Sequence, residues 1–291
     1  MALITVLSAK GAPGCTTAVL GLTLRWPIPA LLVEADVAGS AILAGYLRGE
    51  LHQDHGVLPL AVTQAQTRRL QMTDLWDQTL PLAPPSHDQP APRGPFGATS
   101  GSPGPVTNSP VQYLLPGIPH ATQSAAVRSL WGELASTLQT LEDGGMDAIV
   151  DLGRLSLGEE DRHGLLARSD QIVVATGSRL PQIHATKTLA EHLRARYAPA
   201  AAEMSPLTIV VVGPGRPFDA GEIAQLCGLQ LAGTLAWDPA SAEVYSAGAR
   251  PGRKFASAAL NRSLTALTDT LRRRVGARRA HLVGTRTGGD Q

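Results

Sequence analysis

The chain has 291 residues, 43% hydrophobic and 17% charged, which is enough for one large buried core or two small ones. Its net charge of +1 gives no global bias toward nucleic acid or an anionic membrane. The two cysteines, Cys15 and Cys227, form no C-x-x-C pair, which argues against a zinc site or a disulfide framework, and no apolar run of about 18 residues offers a spanning helix.

Residues 2–8 form an apolar first strand, entered directly and without the longer apolar region of a signal peptide, so the expected location is cytoplasmic. Next comes a loop of small residues, Lys10-Gly11-Ala12-Pro13-Gly14, and a helix from Thr16 to Arg25 that Pro27 stops. Such a loop turns backbone N–H groups inward, and the helix start adds partial positive charge, so the segment suits a phosphate. The strict phosphate-loop pattern G-x-x-x-x-G-K-[ST] is met at Gly14 and Thr16 and fails at Ala9 and at Cys15, where the lysine belongs. The alternative is a plain connection between strand and helix. Cys15 at a helix start also admits a reactive thiol, although a small buried residue filling the lysine's place is the simpler reading.

Ala30 to Glu34 reads as a parallel strand covered on both faces, delivering Glu34 and Asp36 at its carboxyl end, where doubly wound sheets bind ligands. Two solvated carboxylates are the alternative there. Helices are expected over 41–47 and about 60–80. In residues 81–110 nine of thirty are proline and four glycine, a composition that cannot bury enough surface to offset its ordering entropy and is expected as a mobile insertion. Val111 to Leu115 is a strand, and Val127 to Leu141 a helix with Leu130, Leu134, Leu138 and Leu141 on one face. Asp147 to Gly153 is an apolar strand carrying Asp151 near its end, and Ser169 to Thr176 and Leu207 to Val212 are further strands with the helix Leu180 to Arg196 between them. Gly213-Pro214-Gly215 reads as a turn, Leu231 to Leu235 as the last core strand and Ala256 to Val275 as the last helix. Six arginines lie between Arg272 and Arg286 without an acid. They are a candidate tether to membrane or nucleic acid, adding about 1 kcal/mol per charge near an anionic leaflet. The thin apolar content favours a soluble basic tail over 276–291 instead.

The pattern K-G-x-x-G-x-T-T from Lys10 to Thr17 resembles the deviant phosphate loop of the MinD/ParA family of positioning and partitioning ATPases. Glu34 and Asp36 match that family's D-x-D pair, Asp147 to Gly153 resembles its Walker B strand, and Leu235-Ala236-Trp237-Asp238 its L-P-x-D loop without the proline. The resemblance implies one doubly wound α/β domain over 1–275, with a mostly parallel sheet of about seven strands, interrupted by the insertion 81–110. It implies ATP and Mg²⁺ as cofactors, cradled by Gly11, Ala12, Pro13, Gly14, Cys15, Thr16 and Thr17. Thr16 and Asp151 would belong to the metal shell, Thr17 to the α-phosphate, and Asp238 to the base. Asp36 would lie near the attacking water, and Lys10 would reach the nucleotide of the partner subunit in a homodimer. Gly213 stands where the family often places an adenine-reading asparagine.

Cys15 changes that chemistry. The missing lysine removes charge-assisted phosphate contacts of about 1.5–3 kcal/mol each, a ten- to hundredfold loss of affinity or more, and hydrolysis suffers further because catalysis of phosphoryl transfer is mainly electrostatic. Two readings therefore stand: a MinD/ParA-like protein that positions or partitions cargo with impaired hydrolysis, and a pseudo-ATPase scaffold that needs no nucleotide. A DNA-binding protein, resting on the arginine tail, is the third class. Cargo and protein partner are not specified by the sequence.

Overall fold

The computed structural model describes residues 2–10, 14–49, 54–85, 110–198, 205–215 and 217–287. Eight strands lie side by side: β1 (Leu3–Ser8), β2 (Ala30–Glu34), β3 (Leu80–Leu82), β4 (Gln112–Leu115), β5 (Asp147–Arg154), β6 (Gln171–Gly177), β7 (Leu207–Val212) and β8 (Gln230–Leu235). Their order in the sheet is β3-β4-β2-β5-β1-β6-β7-β8, and every pairing is parallel except β3 with β4. The inner strands are continuous apolar runs because both faces are covered. Side chains alternate between two cores. Leu3, Leu31, Val33 and Val150 join one cluster, and Ile4, Leu32, Ile149 and Val173 join the other.

On the first face pack α2 (Val57–Thr67), α4 (Leu130–Gln139), α5 (His163–Ala167), α6 (Leu180–Tyr197) and α7 (Ala220–Cys227), with α3 (Met72–Asp77) beside α2. On the second lie α1 (Cys15–Thr23), α8 (Pro239–Ser246) and α9 (Ala259–Thr287). α1 carries no charge and buries seven of its nine residues because it is sandwiched between the sheet and α9. The contact is close enough that a Cβ on Gly21 would meet Leu264 Cδ1 at 2.5 Å.

The architecture is the expected doubly wound, mostly parallel α/β sheet, with one strand more than the seven read from sequence. The extra strand, β3, falls at the boundary of the expected helix and insertion. Leu82 is buried while Pro81 faces out, and an edge strand tolerates a proline because one side of its ladder is unpaired. The remainder of the insertion, 86–109, lies outside the described residues. The helix expected over 60–80 is two helices: Arg68 at φ 59 ends α2, and the Asp74 carboxylate accepts from the Gln71 N–H as α3 opens. Residues 42–46 form a single π-helical turn, and 121–127 a 3-10 stretch ahead of α4.

The C-terminal expectation needs the larger correction. α9 does not end at Val275 but continues to Thr287, through most of the supposed tail. Arg278 Nη1 donates to the Asp170 carbonyl at 2.7 Å, Arg279 grips the Asp170 carboxylate at 2.8 and 3.0 Å, and Arg274 Nη2 donates to Gln230 Oε1 at 2.7 Å. Three of the six arginines are thus tied to the amino ends of β6 and β8. Among the described residues no helix is long and apolar enough to cross a membrane.

Candidate functional site

β1 delivers the chain to the loop whose last described residue, Gly14, sits at φ 84. A left-handed residue costs an L side chain about 1–2 kcal/mol, so glycine suits the position. Gly14 is the N-cap of α1 and has no side chain to satisfy the first-turn N–H groups, which are left for a ligand. Thr16 and Thr17 are half-buried at this turn. Gly11, Ala12 and Pro13, expected to complete the cradle, lie outside the described residues.

Asp151 is buried on β5, on the face that meets α1, and accepts from the Gly153 N–H at 2.9 Å. Burial is the main cause raising its carboxyl above the ordinary range. The Thr16 hydroxyl and the Gly153 N–H pull it back, while the charge of Asp36 adds to the rise. Thr16 and Asp151, assigned together to a metal shell, are therefore neighbours at the start of α1. Cys15 also sits here, 8% exposed, with Sγ 3.6 Å from Asp151 Oδ1. Burial and the nearby Asp151 push the thiol well above its usual range, so it stays protonated near neutrality. This overturns the reactive-thiolate reading and leaves Cys15 as a small buried filler.

Asp36 follows β2 and is half-buried. Its Oδ1 accepts from the Ala38 N–H at 2.8 Å. Its carboxyl is raised mainly by burial and lowered by the Ala38 bond and the charge of Arg162. Glu34, its sequence partner, does something different. It is 2% exposed and accepts from Ser40 Oγ (2.6 Å), Ile42 N (3.0 Å) and Gly117 N (3.1 Å). Burial pushes it up to about 7 against these three bonds. Glu34 therefore pins the turn after β2, and the alternative of two solvated carboxylates fails.

A cavity of about 250 Å³ opens between these groups, lined by Gly14 to Thr17, by Asp36 and Gly153 at the ends of β2 and β5, and by Ala41, Tyr245 and Ser246. Tyr245 and Ser246, at the end of α8, were not legible as site residues. Tyr245 is held by a bond to Asn261 Oδ1 (2.7 Å) and one from Arg25, which ties α8 to α9 and α1. Lys10 is exposed and does not line the cavity. Asp238 also stands apart from it: its carboxylate caps α8, accepting from Ser241 N (3.2 Å) and Oγ (2.8 Å), and the Ser241 hydroxyl is the main cause holding it below the ordinary range. Beside it the exposed Trp237 covers Gly213 at the end of β7.

Part of the expected magnesium–nucleotide set meets at the α1 terminus, while Lys10 and Asp238 stand apart from it. The uncapped helix start, Thr16 beside Asp151, and Asp36 on the cavity wall are present, and Cys15 supplies no cation. Among the described residues no group of three His, Cys, Asp or Glu side chains is arranged to hold a metal alone, so a bound Mg²⁺ would need oxygens from its ligand.

The fold is the doubly wound, mostly parallel α/β arrangement found in solved MinD and ParA family structures. No protein-family model matches the sequence, and no curated protein sequence matches it. Solved structures do. The septum site-determining protein MinD of Pyrococcus horikoshii, complexed with Mg-ADP, aligns with a TM-score of 0.63 at 15% identity, over 95% of this chain and 98% of that one. The cell division ATPase MinD of Pyrococcus furiosus gives 0.62 at 14%, over 94% and 99%, and a ParA family ATPase from Chlorobium tepidum 0.61 at 12%, over 92% and 99%. At these identities the likeness establishes the fold.

Proposed function

We propose that the chain is a nucleotide-responsive protein that positions or partitions cellular cargo, with hydrolysis impaired by Cys15. The observation that carries this reading is the cavity at the uncapped start of α1, lined by Thr16, Thr17 and Asp36, with the buried Asp151 against Cys15 beside it. The first-turn N–H groups and the Thr16 and Thr17 hydroxyls would hold the phosphates, and Thr16 and Asp151 would hold the water shell of Mg²⁺. The metal, when bound, offsets phosphate charge. Asp36 would orient the attacking water; burial raises its carboxyl above the ordinary range, against the Ala38 N–H and the charge of Arg162. With a neutral thiol where a cation would meet the β- and γ-phosphates, charge developing in the transition state has less to stabilise it. Structural neighbours support the cellular role in general terms: MinD is named a cell division ATPase and a septum site-determining protein, and one MinD is solved as a MinC:MinD complex.

We also assign a homodimer, with exposed Lys10 contributing across the interface, and an additional protein partner. The second reading is a scaffold of the same fold that works without nucleotide, favoured by the Cys15–Asp151 contact that fills the lysine's place. Titration of Mg-ADP into the native chain and a Thr16→Ala variant separates the two. Heat of binding in the native chain, lost in the variant, supports the nucleotide reading. No binding to the native chain at millimolar ligand leaves the scaffold.

A further inference from the structure

Arg162, which follows the acidic run Glu159-Glu160-Asp161, is fully buried. All five of its N–H donors are used. Nε and Nη2 pair with the two Glu159 carboxylate oxygens, the latter at 2.8 Å. Nη1 donates to the carbonyls of Ala35 (3.0 Å) and Leu152, and Nη2 also donates to the carbonyl of Arg154 (2.7 Å).

Those carbonyls share a place in the fold. The β2–β5 ladder ends at the pair Glu34 and Asp151, with a last bond from Ala35 N to Asp151 O at 2.7 Å. Beyond it no further β2–β5 pair forms, and the guanidinium reaches the carbonyls of Ala35 and Leu152. Ala35 immediately precedes Asp36, and Leu152 immediately follows Asp151. The guanidinium thus takes over where the ladder stops and fastens the two chains beside the two carboxylates.

An apolar side chain would fill the volume without the desolvation cost of a buried charge, but it would take a donor from three carbonyls. We propose that Arg162, held by Glu159, is a positioning residue that fixes Asp36, on the cavity wall, relative to the buried Asp151. The fixing itself stands on the geometry, and its consequence for ligand rests on the nucleotide reading above.

Two amides report the carboxylates directly, since Ala38 N–H donates to Asp36 Oδ1 and Gly153 N–H to Asp151 Oδ1. Native-state hydrogen exchange on the full chain should show these amides, with Leu155, exchanging about tenfold faster or more in Glu159→Gln and Arg162→Met, the factor for one lost hydrogen bond to a charged group. Amides of β6 and β7 should keep their native rates. Arg162→Lys, which keeps the charge and some donors, should fall between. If Arg162→Met does not fold, Glu159→Gln and Arg162→Lys carry the test. Uniform acceleration over the whole chain, or native rates at Ala38 and Gly153, overturns the proposal. Calorimetry with Mg-ADP adds the functional arm, with a drop in affinity of about tenfold expected in Glu159→Gln. Unchanged affinity despite faster exchange overturns the positioning role. If the native chain does not bind Mg-ADP, the nucleotide reading falls and the exchange result still decides whether Arg162 fixes the carboxylates.

Discussion

Replacing Gly153 by alanine tests the packing of the two site loops, because two separate costs meet there. The residue sits at φ 62, and a Cβ built on it would lie 2.1 Å from the Asp36 carboxyl. The left-handed backbone alone should cost about 1–2 kcal/mol. The collision adds about 1–3 kcal/mol, since the Asp36 loop must give way while Glu34 and Arg162 hold it on both sides. The sum, about 2–5 kcal/mol, is a large part of the roughly 5–15 kcal/mol of a typical domain. Gly158→Ala supplies the control, because Gly158 has φ 83 with nothing within 4 Å of the added atom, so it should lose the backbone cost alone. Urea unfolding of both variants, read from midpoints at an unchanged slope, gives the difference. Equal losses in the two would refute the close approach of Asp36 to Gly153, and no loss in either would refute the backbone argument as well.

Other consequences follow from burial and charge. Glu34, pushed up to about 7, binds its proton more tightly folded than unfolded, so its contribution is present below the unfolded value and is lost as pH rises through 7. The loss is about 3 kcal/mol between pH 4.5 and 7, and Glu34→Gln should flatten that part of the stability–pH curve; an unchanged curve would contradict the assignment. Both thiols are buried and raised, Cys227 to about 11, so iodoacetamide near neutral pH should label neither until the chain unfolds. Rapid native labelling at Cys15 would restore the reactive-thiol reading. Ending the chain at Val275 removes the Arg278 and Arg279 contacts to Asp170 and should lower stability by about 1–2 kcal/mol in urea; a dispensable tail would leave it unchanged.

What the sequence made legible were the elements whose signal is local. Ala30 to Glu34 and Leu207 to Val212 are continuous apolar runs, and both strands lie where those runs placed them. The junction at Gly14 to Thr17 and the carboxylates Asp36 and Asp151 were visible because turn chemistry and strand ends leave a mark in few residues. Other features depend on partners remote in sequence. Arg278 and Arg279 read as a free basic tail because their acceptor, Asp170, belongs to the start of β6. Arg162 carried no site pattern in the sequence, because Ala35 and Leu152 come near it only when β2 and β5 pair. Tyr245 and Ser246 carry no phosphate-site pattern and reach the cavity because α8 packs on α1. Glu34 and Asp36 were read as one pair at a spacing of two, with only Asp36 placed near the attacking water. The chain leaves the ladder after Ala35, so Asp36 faces the cavity while Glu34 stays under the turn it holds.

The most direct test of the account titrates Mg-ATP into the native chain and into Cys15→Lys by calorimetry. A lysine at this position starts beside the Asp151 carboxylate and can reach phosphate at the α1 terminus. The account predicts measurable but weak binding to the native chain and an affinity about ten- to a hundredfold higher in Cys15→Lys. Equal affinities, or no binding to either protein, would contradict it.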